Sequence, residues 1–237
     1  MTTIGDGALG KTHAQPARDS RPGAAQGPAT RSRPRRWFIK PALFLVLSLP
    51  LAMLLLRLFG IGGLGLGANP IEELMDTLGL WGLRILLLTL CVSPLASLLR
   101  KPWIMGLRRM VGLFAFTYLA LHFLVWLVLD KWFDWRAIVE DVAERPFITI
   151  GATALLMLLP LAVTSTKRWM RRLGRRWQQL HRLVYPAAIL GVWHFWWQVK
   201  ADIREPALYA AMLAALLGFR VFKAWQRRQR RLAASTP

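Results

Sequence analysis

The sequence predicts an all-α protein: a polytopic membrane bundle of six transmembrane helices with both termini on the cytoplasmic side. Three observations carry that prediction. Hydrophobic residues make up 55% of the 237-residue chain and are gathered into runs of about twenty, the length a helix needs to cross the hydrocarbon. The net charge of +20, from 32 Lys and Arg against 12 Asp and Glu, falls almost wholly between those runs. The basic clusters also favour alternate connections, as a sided membrane protein requires. A soluble nucleic-acid binder of this charge would scatter its apolar residues in amphipathic patterns, so the runs exclude that class and leave membrane lipid as the partner of the basic clusters. The single cysteine, Cys91, lies inside an apolar run, which rules out an internal disulfide and argues against a cysteine-based zinc or iron–sulfur site.

Residues 1–36 are rich in Pro, Gly, Ala and Arg and hold almost no large apolar side chains, so they are expected to be a disordered basic cytoplasmic tail. The first span covers residues 41–59. Arg35 and Arg36 ahead of it read like a twin-arginine export signal. The long Leu-rich run with no small-residue cleavage site reads better as a membrane helix behind a basic anchor. Gly60, Gly62 and Gly65 then match a dinucleotide-binding glycine pattern, but no strand precedes them and a flexible turn is the better reading.

The second span covers 78–99, the third 110–129, the fourth 147–166, the fifth 180–199 and the sixth 206–222. Residues 37–225 form the membrane domain, and 226–237 a basic cytoplasmic C-terminal tail. Trp103, Trp132, Trp135, Trp169 and Trp177 fall near span ends, where an interfacial aromatic belt places them.

Charge sets the orientation. Eight basic residues precede the first span, four lie between the second and third, seven between the fourth and fifth and six at the C-terminal end. The alternate connections carry five basic residues against ten acids. Positively charged loops stay in the cytoplasm. Arg57 and Arg84 belong to spans; Arg57 snorkels to the outer interface, and Arg84 becomes a cofactor-contact candidate if it faces the bundle.

Of the four histidines, three lie in spans, where an ionisable side chain is costly and is by default a functional group. The third span places His122 about 18 Å from its cytoplasmic end, and His194 stands about 19.5 Å beyond His181 in the fifth. Two imidazoles at one depth on two helices suit the axial positions of one haem iron. His181 sits near the cytoplasmic interface without an obvious partner. Thirteen residues below His122 stands Arg109 rather than a histidine. In a regular helix the same spacing turns His181 and His194 about 140° apart, although Pro186 can kink the helix and alter that angle.

Around these histidines stand Asn69-Pro70, the Thr89 to Pro94 stretch, Arg108-Arg109-Met110-Val111-Gly112, Thr164-Ser165-Thr166 and the run from Leu173 through Trp177-Gln178-Gln179-Leu180-His181 to Tyr185. With them the sequence resembles the haem-binding membrane subunits of bacterial periplasmic methionine-sulfoxide reductase systems, in the ferric reductase-like transmembrane superfamily. The likeness covers about residues 37–225.

The resemblance implies a multi-pass protein of the bacterial inner membrane that relays electrons through one or two haems b and, in this family, also FMN. It implies quinol or a flavin reductase as donor. The implied acceptor is a periplasmic, molybdopterin-dependent methionine sulfoxide reductase catalytic subunit that repairs oxidised envelope proteins. By the same resemblance His122, His181 and His194 are the haem-ligand candidates, and Arg108 or Arg109 holds a flavin phosphate or a haem propionate. No strand and helix alternation is present to build the dinucleotide domain of NADPH-using relatives. Two other readings remain: a stand-alone ferric or metal reductase, and a proton-coupled transporter. The transporter would want carboxylates inside its spans, whereas every carboxylate here lies in tails, connections or span edges.

Overall fold

A computed structural model of the chain describes residues 38–63, 65–199 and 202–235. The tail at 1–36 and the Arg35-Arg36 pair lie outside the described residues. The described chain is helical throughout, in the order α1 (Ile39–Leu58), α2 (Pro70–Leu98), α3 (Arg108–Leu124), α4 (Trp135–Glu144), α5 (Pro146–Val163), α6 (Lys167–Leu173), α7 (Arg175–Leu180), α8 (Val184–Gln198) and α9 (Arg204–Ser235).

Helices α2, α3, α5 and α8 form a ring of four, with α2 packed most extensively on α3 and α5 on α8. Helix α2 is the centre of the core: Leu87 and Leu90 are fully buried against Val111, Ala115 and Tyr118 of α3 and Ala187 and Ala188 of α8. It starts where Asn69 caps it, its side chain accepting from the Glu72 amide, with Pro70 in the first turn and Glu72 and Glu73 at the positive end of the dipole. Gly82 lets α3 approach, because a methyl group there would stand 2.6 Å from Leu119 Cδ2. On the outer surface, α5 of the ring and the flanking α1 and α9 present large apolar side chains, among them Phe44, Leu45, Leu156 and Val221, as lipid-facing surfaces do.

Helix α1 joins the bundle through a proline. Pro50 interrupts its ladder, and one residue further on the Tyr118 hydroxyl enters it, accepting from the Leu51 amide at 3.0 Å and donating to the Leu47 carbonyl at 2.8 Å. At the end of α1, Gly60, Gly62 and Gly63 all adopt positive φ and turn the chain. Arg57 bonds the Gly65 carbonyl and pairs with Glu73, holding that turn to the start of α2.

Among the described residues, five helical segments are long and apolar enough to cross a membrane: Ile39–Leu58, Pro70–Leu98, Pro102–Asp130, Pro146–Val163 and Arg204–Ala233. The predicted fifth span differs. A 3₁₀ turn at His181–Leu183 separates α7 from α8, which leaves α8 with 15 residues, about 22 Å of helix.

The connections are also more ordered than their composition suggests. The basic stretch before His181 folds into the short helices α6 and α7, joined at Gly174 with φ 50°. The stretch after α3 carries α4, capped by Asp134. Asp141 on α4 is buried and gathers Trp126 Nε1 at 3.1 Å, Lys131 Nζ at 3.0 Å and Arg145 Nε at 3.2 Å. Helix α9 continues past residue 222 through the basic run to Ser235, so residues 226–235 extend a helix rather than leave it.

Candidate functional site

His122 lies two residues from the end of α3, next to a π-helical turn at Val125–Asp130, and His194 lies in the last turns of α8. The four-helix ring brings their imidazoles together with centroids 6.1 Å apart and planes at 76°. Each ring is held by its Nδ1. His122 Nδ1 lies 2.8 Å from the Met75 carbonyl on α2, and His194 Nδ1 lies 2.8 Å from the Phe147 carbonyl on α5. A carbonyl only accepts, so Nδ1 carries the proton in both rings and Nε2 is the nitrogen left for a metal.

One turn along from each carbonyl is a glycine that makes the approach possible. A methyl group at Gly79 would stand 3.0 Å from His122 Nδ1, and one at Gly151 would stand 2.8 Å from His194 Nδ1. The two halves share one register: Met75 and Phe147, Gly79 and Gly151, and His122 and His194 are each 72 positions apart (147 − 75, 151 − 79, 194 − 122). The same carbonyl, glycine and imidazole device is therefore built twice, once by α2 with α3 and once by α5 with α8.

The pair fits an iron held end-on. An imidazole nitrogen binds a metal at about 2 Å and sits about 1.2 Å from its ring centre, so two rings sharing one metal stand at most roughly 6.4 Å apart. Among the described residues no group of three or more His, Cys, Asp or Glu side chains gathers to hold a metal by itself, so a two-ligand iron inside a macrocycle suits this donor set better than a bare ion.

The structure separates the other predicted site residues. His181 stacks on Trp177 with centroids 3.9 Å apart and bonds the Trp177 carbonyl through Nδ1 at 3.1 Å. It begins a 3₁₀ turn, whose tighter winding brings its direction to roughly 80° from that of His194 rather than 140°. Arg108 is half-buried and within electrostatic reach of His181, whereas Arg109 is exposed. Fourteen residues on a regular helix return to within about 40° of the starting face, so Arg108 shares the His122 face and Arg109 does not.

Arg84 does not join the imidazoles. Its Nε donates to the Tyr209 hydroxyl at 2.7 Å, its guanidinium lies 5.2 Å over Trp81, and it borders a cleft of about 490 Å³ between α1 and α2. Sequence reading missed Gly79, Gly151 and the carbonyls of Met75 and Phe147, which set the rings. It also missed Arg220 of α9, which reaches into the bundle to the Leu90 carbonyl. The repeated glycine and histidine spacing was a legible signal for the first group. Nothing in the basic C-terminal run marked Arg220 as different from its neighbours.

The ferric reductase-like transmembrane component family matches residues 78–192, a stretch that contains His122 and ends two residues before His194. The chain is 51% identical over 176 residues to the protein-methionine-sulfoxide reductase heme-binding subunit MsrQ of Xanthomonas axonopodis pv. citri, covering 74% of this chain and 81% of that one. It is 48% identical over 193 residues to the MsrQ subunit of Bordetella pertussis, covering 80% and 92%. No solved structure matches.

Proposed function

The chain belongs to the MsrQ family of ferric reductase-like membrane proteins, and from that membership we propose that it is a haem b electron-transfer subunit whose iron is held by His122 and His194. The observation that carries the proposal is the facing imidazole pair, 6.1 Å apart, each ring fixed by an Nδ1 bond to a backbone carbonyl. Haem supplies one-electron chemistry to such a site. The protein supplies the rest. The carbonyls of Met75 and Phe147 fix the tautomer, aim Nε2 and make each imidazole a stronger donor, which favours the oxidised metal. Packing around the pair keeps the rings from turning to solvent.

In this reading the chain lies in the bacterial inner membrane with six spans. The sixth crossing is made by α8 together with the 3₁₀ turn before it, whose combined length of roughly 28 Å approaches that of the hydrocarbon. Both termini face the cytoplasm, as the basic connections favour. Electrons enter from quinol or a flavin reductase and leave outward to a molybdopterin-dependent periplasmic methionine sulfoxide reductase that repairs oxidised envelope proteins. The acidic connections and α4 form the face to which that partner would dock.

The test is the dithionite-reduced spectrum and pyridine haemochrome of the purified protein. His122→Ala and His194→Ala are each expected to lose the haem held by the pair. Normal spectra in both variants would overturn the ligand assignment. Oxidation of the reduced protein by ferric chelates as fast as by the sulfoxide reductase would instead favour a stand-alone metal reductase.

A further inference from the structure

Arg84 stands at the middle of α2, fourteen residues from Pro70 and fourteen from Leu98, so about 21 Å of helix separates it from either end. A permanent cation at that depth is costly unless something compensates it. Its protein contacts do so only in part. Nε donates to the Tyr209 hydroxyl at 2.7 Å and the guanidinium lies 5.2 Å over the Trp81 ring, both neutral groups. Among the described residues Arg84 has no ion pair, and neither of its terminal nitrogens has a hydrogen-bond partner.

The cleft of about 490 Å³ that Arg84 lines is otherwise nearly all apolar. Leu49, Met53 and Leu88 on its walls are exposed on the outer surface of the bundle, so it opens toward lipid. Arg57 also lines it, at the end of α1, but is already satisfied by Glu73 and the Gly65 carbonyl. The charge of Arg84 is therefore the unmatched one. The cleft is turned away from the imidazole pair: Thr77, Trp81, Arg84, Ile85 and Leu88 lie roughly 140–240° around α2 from Gly79, the position that meets His122.

We propose that this cleft binds a long-chain fatty acid, with Arg84 holding the carboxylate and the apolar walls holding the chain. Charge and depth select that occupant. An unmatched guanidinium calls for an anion, and its open edge matches the two oxygens of a carboxylate. A neutral carbonyl would fill the hydrogen bonds and leave the charge. A phospholipid headgroup is tied to the interface and does not reach a side chain 21 Å along the helix, whereas a fatty acid enters the hydrocarbon protonated. Beside Arg84 the ionised form is favoured, and the proton leaves to solvent. The site does not depend on the iron at His122 and His194.

The test uses the purified full chain in nanodiscs of neutral phosphatidylcholine, titrated with radiolabelled palmitate. Unlabelled palmitate, hexadecanol and decylubiquinone serve as competitors. Saturable binding is expected, displaced about tenfold or more better by palmitate than by either neutral competitor. Arg84→Gln is expected to weaken palmitate by a similar factor and to remove that preference, and Arg84→Lys, which keeps the charge, to retain part of it. Met53→Trp fills the cleft from α1 and leaves Tyr209 and Trp81 in place. It is expected to lose palmitate and keep the reduced spectrum, and it decides if Arg84→Gln does not fold. Equal displacement by hexadecanol, better displacement by decylubiquinone, or unchanged binding in Met53→Trp overturns the proposal. His122→Ala is expected to lose its iron and to bind palmitate as the wild type does, so the two readings fail separately.

Discussion

Replacing Gly151 with Ala tests whether the backbone carbonyl sets the properties of His194. The new methyl group would stand 2.8 Å from Nδ1, 2.9 Å from Cε1 and 3.2 Å from Cγ of the imidazole. Ordinary contact requires about 3.4 Å, so the ring must retreat from α5 by about 0.6 Å, which stretches its 2.8 Å bond to the Phe147 carbonyl to about 3.4 Å, the edge of hydrogen bonding. With an iron held by Nε2, as proposed, losing that bond would weaken the donation of the imidazole. If it favours the oxidised state by about 1 kcal/mol, the midpoint potential rises by on the order of 40 mV. Stability moves through two opposed effects: a helical Gly→Ala gains about 1 kcal/mol, and overpacking costs about 1–3 kcal/mol, leaving a net loss of about 1 kcal/mol. Gly79→Ala is the milder version, because its methyl group would meet His122 Nδ1 at 3.0 Å. Gly191→Ala is the control on the His194 helix, since its nearest neighbour is Leu83 Cδ1 at 3.7 Å. Potentiometric titration of the reduced spectrum is the assay. A potential that rises for Gly151→Ala, less for Gly79→Ala and not for Gly191→Ala is expected. Identical potentials in all three would refute the carbonyl's role.

Two further predictions concern the scaffold. Burial pushes the Asp141 carboxyl up, but the hydrogen bonds from Lys131 and Trp126 and the charges of Lys131 and Arg145 outweigh it and hold the group below its ordinary range. Burial likewise pulls Lys131 down and its acidic partners, Asp141 and Asp130, win, leaving it raised. The depressed carboxylate contributes stability that is present above its unfolded value and is lost as pH falls through the folded one; the raised ammonium contributes below its unfolded value and is lost as pH rises through the folded one. The melting-temperature gap between wild type and Asp141→Asn, worth about 2 kcal/mol, should therefore be flat between about pH 5 and 9 and shrink below about pH 4. A gap unchanged at low pH would remove the ion pair from the account. Tyr118→Phe withdraws the hydroxyl from the α1 ladder at Leu47 and Leu51. It should cost about 1 kcal/mol in thermal melting while leaving the reduced spectrum unchanged, and a spectral change would show that α1 bears on the imidazoles.

Apolar runs, charge alternation and the depth of two histidines are properties of composition and spacing, and these made the bundle and the His122 and His194 pair legible in the sequence. What was not legible depends on who faces whom. Helix α4 was hidden because its polar sequence reads as a loop until Asp141 finds Trp126, Lys131 and Arg145. The 3₁₀ turn at His181 was half legible: Pro186, which has no N–H to offer the Arg182 carbonyl, marked a break in the helix there, but the break could have been a kink as well as a tighter turn. Arg84 looked like a cofactor contact from depth alone. Its direction, toward Tyr209 and Trp81, is set by α9, 125 residues away.

The twofold register has a consequence at the end where it breaks. By the shift of 72 positions, His181 corresponds to Arg109, so Arg109→His looks like the substitution that would complete a second imidazole pair. Geometry argues otherwise. Helix α3 is regular from Arg108 onward, which leaves position 109 exposed and about 140° from the His122 face. The His181 to His194 stretch escapes that limit only through the 3₁₀ turn at its start, whereas no such turn lies between positions 109 and 122 of α3. Position 108, half-buried, on the His122 face and within electrostatic range of His181, is the better placed of the two. Arg108→His is thus expected to raise the haem content per chain by pyridine haemochrome, while Arg109→His leaves it at the wild-type value. The reverse outcome would mean that the start of α3 winds as the start of α8 does.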